Sequence, residues 1–205
     1  SDRVCDACPS GHFKTGPGSQ ACGAWAKCPV GQGQSVPGSA TADRQCAGCT
    51  VGSTFSKVND GSACEDVSAP CAAGTYRNNA PTASADRTCK TCASGSFKSS
   101  AGNALACTPW SLCAVGQGLD TEGTAVADRQ CAACVVGATF SDVGSGDACA
   151  AVSAPCAAGN ALATASTASA DRTCAECAGG QFKVAAGNGA CAVWRTCAAG
   201  HGQSV

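Results

Sequence analysis

Methionine is absent from this chain, tyrosine occurs once, and only 5 Phe and 3 Trp are spread over 205 residues. Large side chains bury most of the area that holds an ordinary core together. A single globular core of this length is therefore not expected. Charge is scarce too: 13% of residues are charged and the net charge is −1. No basic stripe exists, so nucleic acid is not an expected partner. A soluble monomer's surface usually carries ~25–35% charged residues, and the shortfall points to a surface covered by neighbouring subunits or by sugar. No apolar run approaches the ~20 residues that cross a bilayer, and no secretory leader is visible. A leader or membrane anchor is expected outside this segment, if anywhere. The two histidines, His12 and His201, are too few for a repeated metal site. No nucleophile–base pair, paired-carboxylate site or phosphate loop can be assembled. No enzyme activity and no cofactor or metal ion is expected.

What the chain has is cysteine. Its 20 Cys point to a disulfide scaffold made in an oxidising, extracellular compartment. They are placed periodically. Near-identical stretches recur at 42–49 (ADRQCAGC), 85–92 (ADRTCKTC), 127–134 (ADRQCAAC) and 170–177 (ADRTCAEC), with a worn copy, SDRVCDAC, at 1–8. Asp2, Asp43, Asp86, Asp128 and Asp171 mark a period of 41 to 43 residues. After each C-x-x-C come 13 or 14 residues, a Cys, 5 or 6 residues and another Cys. The next interval is constant, with 17 residues between Cys28 and Cys46, Cys71 and Cys89, Cys113 and Cys131, and Cys156 and Cys174. A constant length in drifting sequence suggests a closed loop with fixed ends.

The units alternate. One type carries C-x-x-W-x-x-C around Trp25, Trp110 and Trp194; the other carries C-x-x-VSAP-C. The first has GHFK, GSFK or GQFK where the second has GSTFS or GATFS. The true repeat is thus a pair of units. Phe13, Phe55, Phe97, Phe140 and Phe182 account for every Phe, one per unit, and are expected to pack on the bridges as miniature cores. Between these anchors lie Gly, Ser, Thr, Ala and Asn without 3.6-residue periodicity, which predicts short hairpins and turns and little helix. The Asp of each Asp-Arg is expected to lock a turn by accepting backbone N–H groups, with Arg paired to it or lying over an aromatic face. One Asp per unit is thin for calcium. RGD-like sequences and N-x-S/T sequons do not occur; the tract 163–170, ATASTASA, is a candidate for O-linked sugar, with flexible loop the expected structure.

C-x-x-C has three readings. A thioredoxin-like centre needs one reactive pair in a βαβ context, which five copies do not offer. Zinc needs closer spacing than the roughly 42 residues here. Two neighbouring cysteines, each closing a different loop, fit all twenty positions. The order C-x-x-C, Phe, Cys, C-x-x-W-x-x-C and a Gly/Ser loop ending in D-R-x-C resembles the cysteine-rich repeat of the tumour necrosis factor receptor superfamily, over essentially the whole chain. That resemblance implies the bridges Cys8–Cys22, Cys28–Cys46, Cys49–Cys64, Cys71–Cys89, Cys92–Cys107, Cys113–Cys131, Cys134–Cys149, Cys156–Cys174 and Cys177–Cys191. It leaves Cys5 and Cys197 with partners outside the segment. The chain departs from many family units in lacking a third bridge, and Trp25 stands where one of its cysteines can occur. Closing a loop of ~15 residues is worth roughly 3 kcal/mol in the chain-entropy model, enough to fold a unit too poor in large side chains to manage alone.

The expected architecture is small and disulfide-rich: tandem repeats of short β-hairpins and loops stacked into an elongated rod. Residues 1–7 are read as the tail of a preceding repeat, then 8–48 (Trp type), 49–91 (VSAP type), 92–133 (Trp type), 134–176 (VSAP type) and an incomplete 177–205 (Trp type). The chain is thus expected to be a window onto a longer array. Two functions fit. One is a structural rod in an extracellular or cell-surface filament or appendage, with other protein subunits, copies of itself or filament components, as partners. The periodicity, tiny side chains and low charge resemble the cysteine-rich proteins of protist and algal surface filaments such as flagellar mastigonemes. The other is a ligand-binding receptor ectodomain, as the superfamily resemblance implies. Lys14, Lys98 and Lys183 are expected to offer a face to like neighbours. Tyr76, the one aromatic outside the pattern, is the expected contact point for a ligand.

Overall fold

The computed structural model describes residues 4–202; Asp2 and Arg3 of the worn repeat, and residues 203–205, lie outside them. Glycine sets where the hairpins begin. Gly31 and Gly74, immediately ahead of two of the longer strands, have φ of 85° and 76°, a region that only Gly enters without steric cost. Hairpins follow in sequence order, all antiparallel and each a separate two-stranded sheet. The first pairs β1 (His12–Phe13) with β2 (Gly23–Ala24), the second β3 (Gln32–Val36) with β4 (Gln45–Gly48). Next come β5 (Thr54–Phe55) with β6 (Glu65–Asp66), and β7 (Thr75–Asn79) with β8 (Thr88–Thr91). β9 (Ser96–Phe97) pairs β10 (Thr108–Pro109), and β11 (Gln117–Thr121) pairs β12 (Gln130–Ala133). β13 (Thr139–Phe140) with β14 (Ala150–Ala151), β15 (Asn160–Thr164) with β16 (Thr173–Glu176), and β17 (Gln181–Phe182) with β18 (Ala192–Val193) complete the series. No helix occurs among the described residues.

Short and long hairpins therefore alternate. Every Phe is the last residue of the first strand of a short hairpin. The four longer hairpins share one register irregularity, between Gln34 and Val36, Arg77 and Asn79, Leu119 and Thr121, and Leu162 and Thr164. Such a bulge bends a strand and raises its twist. The same break in four hairpins shows that each loop is folded by the same local constraints.

Nine disulfides hold these pieces: Cys8–Cys22, Cys28–Cys46, Cys49–Cys64, Cys71–Cys89, Cys92–Cys107, Cys113–Cys131, Cys134–Cys149, Cys156–Cys174 and Cys177–Cys191. Cys5 and Cys197 are exposed free thiols. The most buried side chains are Cys28, Cys71, Cys113 and Cys156, at 1–2% exposure, each at the start of a constant loop. Phe55 is the one Phe that is fully buried; Phe13, Phe97 and Phe140 are half-buried and Phe182 is exposed. Sulfur, not aromatic carbon, occupies the driest positions.

Backbone contacts divide the chain into two compact units, Ser1–Thr108 and Pro109–Val205. Each holds long and short hairpins joined by backbone bonds between successive repeats. In the first unit, Gly31 N–H donates to the Ser56 carbonyl (2.8 Å) and Gly74 N–H to that of Lys98 (2.8 Å). In the second, Gly116 N–H donates to Ser141 (2.8 Å) and Gly159 N–H to Lys183 (2.9 Å). The acceptor is always the residue after the Phe. The tract 163–170, for which a flexible loop is expected, runs from the end of β15 into an isolated bridge between Thr167 and Ala170. Thr167 Oγ1, which accepts the Ser169 N–H, closes that turn.

Candidate functional site: the junctions between repeats

The Asp of each described Asp-Arg reaches back 17 or 18 residues. Asp43 Oδ1 accepts the N–H of Ala26 (2.8 Å), Asp86 Oδ1 that of Ser68 (3.0 Å), Asp128 Oδ1 that of Ser111 (2.8 Å) and Asp171 Oδ1 that of Ser153 (3.0 Å). The donor always follows the Trp or Val that marks the unit type. The same oxygen also accepts the N–H of the adjoining Arg, at 2.6–2.8 Å. Where that donor is Ser its hydroxyl also donates, to Oδ2, at 2.6 Å for Ser111 and also in the Ser68 and Ser153 pairs. These hydroxyls, with the backbone N–H groups behind them, hold the Asp86, Asp128 and Asp171 carboxyls below their ordinary value. The Asp therefore pins the constant loop to the segment that precedes it.

The neighbouring Arg has two destinations. In Trp-type units the guanidinium lies over the indole, with Arg44 5.3 Å from the Trp25 ring centroid and Arg129 5.4 Å from that of Trp110. The indole also meets bare backbone: a Cβ on Gly38 would lie 2.5 Å from the Trp25 ring, and one on Gly123 2.4 Å from the Trp110 ring. Trp25 Nε1 donates to the Ser39 carbonyl (3.0 Å) and Trp110 Nε1 to that of Thr124 (3.1 Å). The same guanidinium presses on the next unit, where a Cβ on Gly61 would fall 0.9 Å from Arg44 Nη1 and one on Gly146 1.6 Å from Arg129 Nη1. In VSAP-type units there is no indole. Arg87 Nη1 donates to Asn103 Oδ1 (2.5 Å) and Arg172 Nη1 to Asn188 Oδ1 (2.9 Å), both in the following unit. In each type Arg ties a repeat to its successor.

The sequence held a sign of this arrangement that our reading of it missed. Five residues before the Asp, Trp-type units have Gly38 and Gly123, whereas VSAP-type units have Pro81 and Ser166. The small residue travels with the ring it accommodates.

The lysines correct an expectation. Lys98 Nζ donates to the carbonyls of Cys71 (3.0 Å), Ala72 (3.1 Å) and Ser100 (2.7 Å). Lys183 Nζ donates to Asn160 (2.7 Å), to Cys156 and to Gly187, and Lys14 Nζ to Gly18. The ammonium groups of Lys98 and Lys183 satisfy carbonyls across the repeat junctions rather than facing outward to a neighbour, whereas Lys14 bonds only within its own loop. Ser56 and Ser141 stand in their place in VSAP-type units and are buried.

Tyr76 is half-buried on β7, directly across from Lys90 on β8. The two line a groove of about 310 Å³ together with Thr91, Ser96, Leu105 and Cys107. Neither His12 nor His201 joins a metal-ligand set: among the described residues no group of three or more His, Cys, Asp or Glu is placed to hold a metal ion. No helix of the described residues is long and apolar enough to cross a membrane.

Solved structures similar to this chain include a chain of the mouse RANKL-OPG complex, 21% identical, with 63% of this chain and 93% of that chain covered and a TM-score of 0.31. A chain of the human RANKL/OPG complex is 18% identical, with 82% of this chain and 99% of that one covered and a TM-score of 0.34. No curated protein matches the chain significantly. Residues 8–46 and 92–131 each match the model of the TNFR/NGFR cysteine-rich region, so it is in its first two Trp-type units that the chain is similar to that family.

Proposed function

We propose that this chain is an extracellular structural element, a disulfide-stapled rod segment that works by spacing and by contact with other protein subunits in a cell-surface filament or appendage. The observation that carries this reading is the recurring junction. A Gly N–H bonds to the residue after the next Phe four times over, and an Arg crosses to the following unit each time. Nearest-neighbour stapling of this kind builds a quasi-one-dimensional array. The repeat boundaries at 49, 92, 134 and 177 and the rod itself belong to this proposal, as does the likeness to mastigoneme-type proteins, which rests on the sequence pattern. Negative-stain imaging of native material tests it. Regular fibres or bundled rods are the expected result; isolated monomeric rods with saturable ligand binding would overturn it.

A second reading, a ligand-binding ectodomain, is favoured by the match of residues 8–46 and 92–131 to a receptor-type repeat model. Tyr76 would be its contact residue. A binding screen with the intact oxidised chain, repeated with Tyr76→Ala, separates the two.

A further inference from the structure

Repetition makes departures easy to see, and three of them meet at one place. At Tyr76's position the other long hairpins have Gly33, Gly118 and Ala161; opposite, where Lys90 stands, they have Ala47, Ala132 and Ala175. The third departure lies in the next unit. Its first disulfide closes over a sequence separation of 15, against 14 in the other Trp-type units. The longer loop contains Leu105, which is 69% exposed. Tyr76, Lys90 and Leu105 line one groove. An aromatic, a cation and an aliphatic side chain brought together where the scaffold needs none of them are the ingredients of a protein contact.

The chain also carries the opposite charge in the corresponding hairpin of the following repeat. Asp120 on β11 and Glu122 just beyond it are exposed, at positions held by Asn78 and Ala80 in the β7 hairpin. The wider distribution agrees. Residues 1–108 hold nine Lys and Arg against seven Asp and Glu, whereas 109–205 hold four against seven. Five of the acidic groups are committed to internal bonds, Asp43, Asp86, Asp128 and Asp171 in the clamps and Asp60 to the Ser62 N–H; exposed Asp120 accepts only the hydroxyl of the adjoining Thr121.

We propose that the Tyr76–Lys90–Leu105 groove is a self-association surface, and that its occupant is the Asp120–Glu122 hairpin of a second copy of this chain. Lys90 meets the carboxylates while Tyr76 and Leu105 supply the apolar contact. Complementary charge sets which hairpin is chosen and makes the contact weaken with salt. This deepens the structural reading, resting on it only for the choice of a like chain as partner.

The test uses the oxidised chain with Cys5→Ser and Cys197→Ser, so that the free thiols cannot cross-link. Sedimentation velocity over a concentration series at low and high salt is expected to show association that declines with salt. Lys90→Glu alone, and Asp120→Lys with Glu122→Lys, are each expected to weaken it roughly five- to tenfold. Mixing these two variants is expected to restore association, because the reversed charges again face one another. Tyr76→Ala is expected to weaken it without changing the salt dependence. Association indifferent to both charge reversals, or a chain that stays monomeric throughout, would overturn the contact. Fibres seen in native material in that case would leave the structural reading standing and show that another face builds them.

Discussion

Trp-type and VSAP-type units place the same Asp and the same Arg at the same point of the same loop, yet the two Arg side chains do different things. Where an indole is present the guanidinium lies over it and against glycine; where it is absent the guanidinium finds an asparagine in the next repeat. The carboxylate clamp and the Gly N–H bond across the junction are common to both. The carboxylate closure of a unit is thus common to both types, and the type is written in what the Arg meets, an indole of its own unit or an asparagine of the next. Backbone bonds cross both kinds of junction; after a Trp-type unit the Arg also presses against a glycine of the next unit, and after a VSAP-type unit it donates to an asparagine, with Lys98 and Lys183 adding further bonds to carbonyls.

The largest effect should ignore type. Replacing Cys28 and Cys46 by Ser, or Cys71 and Cys89, opens loops of the same sequence separation, 18, and each is expected to cost about 3 kcal/mol. Urea unfolding of the two double variants should give equal losses; a difference above about 1 kcal/mol would mean that junction type feeds back on loop stability.

Gly38→Ala and Gly123→Ala should show type strongly. The new methyl has no room beside the indole, so a loss of about 1–3 kcal/mol is expected, with the Trp emission shifted to the red. Pro81→Ala and Ser166→Ala, at the matching VSAP-type positions, should change stability by about 0.5 kcal/mol or less. Comparable losses in both pairs would show that the glycine serves the turn rather than the ring.

Acid tests the clamps that carry a serine hydroxyl. The Asp86, Asp128 and Asp171 carboxyls sit below 3.8, foremost through the Ser68, Ser111 and Ser153 hydroxyls. A depressed carboxyl contributes its full stability above its unfolded value and loses it as pH falls through the folded one. Melting temperature is therefore expected to hold down to about pH 4 and to decline only below it. Ser68→Ala and Ser153→Ala should flatten that decline by moving the folded value back toward the unfolded one. An acid limb unchanged by both substitutions would remove the hydroxyl from the account.

Apart from the Pro81 and Ser166 controls, the smallest effect is expected from Arg44→Lys, which keeps the charge but loses the flat face over Trp25. About 0.5–1 kcal/mol should be lost, with little change in far-ultraviolet spectra. Ala26→Ser, which gives the Asp43 clamp the hydroxyl that Ser111 gives Asp128, should return a similar amount.

The disulfide-rich class, the tandem short hairpins and their alternation were legible because each is a property of spacing. Cysteine density sets the class, Gly marks the turns, and the constant 17-residue interval fixes the long loops. The destinations of long side chains were not legible in the same way. Lys14, Lys98 and Lys183 follow the Phe at a regular interval, and regularity suggested a shared outward face; what they reach is a cluster of carbonyls made by chain closure 23 to 27 residues away for Lys98 and Lys183. The Trp–Gly pairing was present as covariation inside the chain, but recognising it needs the loop already closed. Tyr76 stood out because it breaks the pattern; its neighbours Lys90 and Leu105 break the pattern in other elements, and only the folded hairpins bring the three together.

Ser56 and Ser141, nearly inaccessible beneath the junction, also bear on how such a gene can change in length. Deleting or duplicating a single unit would put a lysine into that tight position, or leave an arginine facing the wrong successor. Slippage by two units preserves the residue types that meet at each junction. Alleles of different length are therefore expected to differ by even numbers of units, in steps of about 85 codons, and odd-step variants should be lost as poorly folding chains.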